Sequence, residues 1–98
     1  MPYNDIKPPP QVRDKDAFEV MRVAIFESEP YFALKRGFDD PVAWGVLFAE
    51  AARHVGRAYA HERLFTEAEA ITRIRSAFEQ AMNAPTNPQH VTEIEKNS

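Results

Sequence analysis

Residues 40–62 read DPVAWGVLFAEAARHVGRAYAHE, and this stretch decides the fold. Asp40 is a good helix cap, and Pro41 suits the first helical position, where a missing N–H costs nothing. From there Trp44, Leu47, Phe48, Ala51, Val55, Ala58 and Tyr59 recur at spacings of three and four. That is one continuous apolar face. The segment is read as an amphipathic helix from Pro41 to Glu62, fading between His61 and Leu64, with its large apolar face turned to the core.

At 100° per residue two more stripes separate on the same helix. Gly45, Ala49, Ala52, Gly56 and Ala60 form a stripe of small residues only. Two glycines inside a helix cost about 1 kcal/mol each relative to alanine, so close approach of another backbone is expected to offset them. Gly45, Ala49, Ala52 and Gly56 are therefore the candidate interface, facing either a second helix or a second copy of the chain. The third stripe is polar and holds Glu50, His54, Arg57 and His61. Imidazole and carboxylate on one face can bind a ligand or exchange protons, which makes these four the candidate ligand site. The competing reading is a solvated face with ordinary i,i+4 pairs. His54 and His61 lie about 10 Å apart along the axis at helical rise, and Arg57 between them repels a cation. No metal and no cofactor is assigned.

Working outward, Thr66 with Glu69 three residues later is a capping box that opens a second helix. Its apolar face is Ala70, Ile71, Ile74, Phe78 and Met82, its wet face includes Arg73, Arg75 and Glu79, and Pro85 stops it. Upstream, Phe18 to Phe26 is rich in β-branched and aromatic residues, as strands are, although Asp16 and Glu19 offer a helix cap. The turn-type residues Glu27-Ser28-Glu29-Pro30 and the alternating Tyr31 to Phe38 decide for a β-hairpin, with Phe32, Leu34 and Phe38 on one side. Phe18, Phe32, Phe48 and Phe78 fall where a core is expected. The order strand, strand, helix, helix gives an α+β fold, ββαα, in which two helices cover one face of a hairpin. A lone two-stranded sheet is seldom stable in water, so its edge is expected to pair with a second copy or to be covered by the tails.

The ends are polar. Residues 1–16, with Pro8-Pro9-Pro10, are read as a disordered leader, residues 17–85 as a single domain, and 86–98 as a loose polar tail. A domain of that size buries only about 60% of the surface of its unfolded chain. The sequence has no cysteine, so neither disulfides nor a thiolate metal site supplements the core. Self-association is the remaining common supplement, and a homodimer is expected. The start MPYNDIKPPP has no basic and apolar signal regions, and no apolar run approaches a membrane span, which fits a cytoplasmic protein.

Several functions lose support here. A net charge of −3 gives no attraction to phosphate backbones. Arg22, Lys35 and Arg36 on the hairpin are the only encouragement for nucleic-acid binding, which ranks last. Ser28, Ser76 and Ser98 lack a glycine-flanked elbow, and Gly37, Gly45 and Gly56 form no phosphate loop. An enzyme is not indicated.

Asp40-Pro41-Val42-Ala43-Trp44-Gly45, then Ala52-Arg53-His54 running to Ala58-Tyr59, then AITRIRSAF from Ala70 to Phe78, carry a resemblance. With the apolar hairpin before them, they make the chain similar to a small bacterial family of about this length, catalogued only as a domain of unknown function. The resemblance spans about residues 17–86 and implies a compact α+β domain, which supports a strand at Phe18 to Phe26. It brings no activity, cofactor or catalytic residue. The leading expectation is a non-catalytic interaction module acting as a homodimer, ahead of ligand binding at the Glu50/His54/Arg57/His61 stripe.

Overall fold

The computed structural model describes residues 6, 9–10, 17–85 and 92–95, the last for their backbone. Strands β1 (Met21–Phe26) and β2 (Glu29–Lys35) are followed by helices α1 (Val42–His61) and α2 (Glu67–Asn83) and by a third strand, β3 (Thr92–Glu95). The expected ββαα order and α+β class are present. The chain forms two compact units, Met1–Gly37 with Asn87–Ser98 and Phe38–Thr86.

In the first unit β1 and β2 pair antiparallel, with Phe26 opposite Glu29 across a two-residue loop. Glu27 and Ser28 both have positive φ, 51° and 65°, so the turn is tighter than the four-residue one expected from sequence. Such a turn matches the right-handed twist of the strands. Pro30 therefore sits inside β2, opposite Ile25. Directly opposed residues share a face, which groups Met21, Val23 and Ile25 with Leu34, Phe32 and Pro30. Phe18 lies ahead of β1, and Phe38 follows β2. Gly37 has φ 71°, and a Cβ there would come within 3.0 Å of Val20, so both backbone and space favour glycine.

β3 lies parallel to β2, giving the sheet order β1-β2-β3. Residues 92–95 fall in the segment expected to be a loose polar tail, and their TEIE offers a single apolar residue, Ile94. Pairing through backbone groups needs no more. The leader expected at residues 1–16 falls mostly outside the described residues, as do 86–91 and 96–98.

The helical unit opens as the sequence suggests. An Asp40 carboxylate oxygen accepts the Val42 N–H at 2.9 Å, and Pro41 has helical dihedrals. α1 ends with Arg63 in the left-handed region (φ 61°), its N–H donated to the Ala60 carbonyl and that of Leu64 to the Tyr59 carbonyl. This is a Schellman ending with arginine where glycine is usual. α2 starts on the expected capping box: the Thr66 hydroxyl accepts the Glu69 N–H at 3.1 Å, and Glu69 accepts the Thr66 N–H at 3.0 Å.

One expectation about the core is corrected. The large apolar stripe of α1 is expected inside, yet Phe48, Ala51, Val55, Ala58 and Tyr59 are exposed, and Trp44 and Leu47 are half-buried. Among the described residues only Gly56 and Ala70 are fully buried. The reason is that α2 seats on the neighbouring stripe of small residues. Phe18 and Phe78 are likewise exposed rather than core, while Phe32 is half-buried.

Candidate functional site

The small-residue stripe is where the two helices meet. At Gly56 the contact is close: a Cβ would stand 2.9 Å from Cγ1 of Ile71 and 3.4 Å from the Glu67 carbonyl oxygen. At Gly45, about three turns away on the same stripe, a Cβ would meet nothing within 4 Å. The helix pair is thus closed near its loop and open toward the start of α1. One half of the stripe receives a second backbone, and the other half is left as a floor.

That floor belongs to a groove of ≈ 290 Å³ within the helical unit. Gly45, Ala49 and Ala52 line it from α1, and Ile71 and Ile74 from α2. Phe48 and Phe78 stand at its sides, and its charged residues are Arg53 and Arg75. On the α1 wheel Arg53 and Phe48 lie on opposite flanks of the floor, and Arg75 and Ile74 do so on α2. Because the helices run antiparallel, helical periodicity puts both arginines on one rim. Neither makes an ion pair among the described residues. By contrast Arg57 lies 3.9 Å from Glu67, and Arg73 stacks over the Phe65 ring at 4.8 Å.

The polar stripe read from sequence lies on a different face of α1. Glu50, His54, Arg57 and His61 are all exposed. Among the described residues no group of three or more His, Cys, Asp or Glu side chains is placed to hold a metal. Of the hairpin's basic residues, Arg22 is held by Glu19 at 2.7 Å. Tyr31 packs edge-on against Phe26 at 6.3 Å and Tyr59 against Phe65 at 5.9 Å, so both contribute to packing. Trp44 sits between Phe38 and Phe48, with ring centroids 5.5 and 5.6 Å away.

Sequence reasoning identifies the floor but not the groove. It expects Gly45, Ala49 and Ala52 to be filled by a neighbour, and it places Arg75 on the wet face. A usable signal exists in the flanks: arginine beside the small stripe on α1, and arginine beside the apolar face on α2.

A family model, Domain of unknown function (DUF5076), matches residues 5–86. This chain belongs to that family. The match takes in most of the leader as well as the hairpin and both helices. Among solved structures, "Structure of a putative pyruvate dehydrogenase from the photosynthetic bacterium Rhodopseudomonas palustrus CGA009" is similar, at 38% identity and a TM-score of 0.70. The similarity covers 90% of this chain and 93% of that one. No curated protein matches this DUF5076 chain. Among the described residues, no helix is long and apolar enough to cross a membrane.

Proposed function

We propose that this DUF5076 protein is a bacterial, cytoplasmic, non-catalytic interaction module that works as a homodimer, joined through the large apolar stripe of α1. The observation that carries the reading is the exposure of that stripe. Phe48 and Tyr59 are each 40% exposed and Val55 45%, with Ala51 and Ala58 exposed between them. Removing such surface from water is favourable by roughly 25 cal/mol per Å². A helix face with this spacing is the geometry by which helices pair. A two-fold arrangement would set the stripe against its own copy, the commonest symmetry among soluble oligomers. The lack of cysteine suits a reducing compartment. The bacterial source of the similar structure supports the bacterial assignment. The dehydrogenase activity named for that structure belongs to that protein and forms no part of the reading.

Sedimentation equilibrium at tens of micromolar tests the reading. The expected mass is twice the 11.2 kDa of one chain, falling to a single chain in Val55→Glu. A strict monomer for the unmodified protein would overturn it.

Ligand binding at the Glu50/His54/Arg57/His61 stripe is the second reading. It is supported by the position of all four on one exposed helical face. Calorimetric titration with Zn²⁺ and a metabolite panel addresses it; no heat, with an unchanged melting temperature, retires it.

A further inference from the structure

The groove between α1 and α2 combines features that the dimer reading does not use. Its floor is as low as side chains allow, because Gly45 has no Cβ and Ala49 and Ala52 have only methyls. Close packing is the rule in protein interiors, and at Gly56 this same stripe obeys it. Toward Gly45 the helices leave ≈ 290 Å³ instead, near the lower end of the range for small-molecule pockets, about 300–1,000 Å³. The distance from Gly45 to Ala52 along the axis is about 10 Å at helical rise. That length suits one short apolar chain better than a docked helix, which needs several turns of anchors.

Charge supplies the second half. The protein is acidic overall at −3, yet the charges that line this groove are two arginines on one rim. Guanidinium groups pair with carboxylates through two parallel N–H donors. An apolar trough with such a rim is complementary to a molecule with an apolar tail and an anionic head.

We propose that the α1/α2 groove binds a free amphiphilic carboxylate, a medium-chain fatty acid or an acid of similar shape. Its chain lies on Gly45, Ala49 and Ala52 against Ile74 and Phe78, and its carboxylate is taken by Arg53 and Arg75. Binding is reversible and involves no covalent step. The site stands apart from the apolar stripe of α1 except at Phe48, so it neither requires nor forbids the dimer.

Trp44 gives the readout, being the sole tryptophan and packed on Phe48 at the groove wall. Decanoate titrated below its micellar range should produce a saturable change in Trp44 emission, confirmed by calorimetry. Decanol, with the tail but no charge, and acetate, with the charge but little tail, should each bind at least tenfold more weakly, the scale of one charge-assisted hydrogen bond. Arg53→Gln with Arg75→Gln should weaken decanoate to the level of decanol. Gly45→Leu fills open space, so it should abolish binding while the melting temperature holds or rises. Equal binding of decanol and decanoate would overturn the proposal. So would undiminished binding by Gly45→Leu, or capture by anionic phosphatidylglycerol vesicles with no saturable binding of free decanoate. Sedimentation run on the same samples reads the dimer separately.

Discussion

Two glycines on one helix, about three turns apart, have opposite environments, and single substitutions should reveal it. Gly45 and Gly56 carry the same helix penalty relative to alanine, about 1 kcal/mol each. At Gly45 a new methyl meets nothing within 4 Å, so Gly45→Ala should recover most of that penalty, stabilising by about 0.5–1 kcal/mol. At Gly56 the new atom would press on Cγ1 of Ile71 at 2.9 Å, an inner atom of a branched side chain with little room to swing away. Gly56→Val adds two further methyls to that overlap and should destabilise by about 1–3 kcal/mol. Urea unfolding of both variants checks the pair. Equal signs at the two positions would mean that the helices are evenly spaced along the stripe. Sequence alone exposes the small residues but not this difference. Spacing of three and four tells which residues share a face; it says nothing of where along that face a neighbour draws near.

At the scale of elements, what is legible depends on whether a signal is local. The Thr66 capping box can be read directly, because its hydroxyl, its N–H and the Glu69 carboxylate interact within one turn. The same local chemistry sets a pH dependence. The Thr66 backbone N–H, then its hydroxyl, and more weakly Arg73, hold the Glu69 carboxyl below its ordinary value, against a small desolvation in the other direction. The folded state thus favours the ionised form. Its contribution is fully present above the ordinary carboxylate range and is lost as pH falls through the lowered folded value. Glu69→Gln should therefore be less stable than the unmodified protein at pH 7, the gap closing on acidification. Thr66→Ala should lose about 1 kcal/mol in acid, where only the cap to the Glu69 N–H is removed, and more at pH 7, where the hydroxyl also favours the ionised Glu69 carboxyl. A Glu69→Gln deficit that persisted in acid would point to packing instead. The inward face of α1, by contrast, is misjudged from sequence. Volume and hydropathy favour the stripe of Leu47, Phe48 and Val55 as the inside. A helix can also pack on alanine and glycine, where backbones come closest, and α2 takes that option. The exposed stripe this leaves is a property of the helix pair rather than of either helix pattern alone.

At the scale of the whole molecule, β3 returns the chain to β2 after both helices, and four residues, 92–95, are too short a pattern to announce it. Antiparallel neighbours such as β1 and β2 are found from the turn between them; a parallel neighbour needs a long crossover, here the residues from 36 to 91. From sequence, the edge of β2 is open to a second copy or a tail, and the structure fills it with a tail segment. Parallel pairing sets Phe32 against Thr92 and Lys35 against Glu95, and its ladder is made of backbone bonds, so proline should break it. Successive strand residues point their N–H groups to opposite sides, so one of any two adjacent N–H groups on β3 must face β2. Glu93→Pro and Ile94→Pro, made separately, should then differ. One removes a ladder donor and raises hydrogen exchange at the β2 amides from Phe32 to Lys35 that face β3. The other leaves those amides nearly as protected as before. In both variants the β1–β2 pairs, such as Ala24 with Tyr31, should keep their protection, because their bonds lie on the other edge of β2. Indifference of β2 to both substitutions would show that β3 is not a member of this sheet in solution, and the edge of β2 would again be open for a second copy.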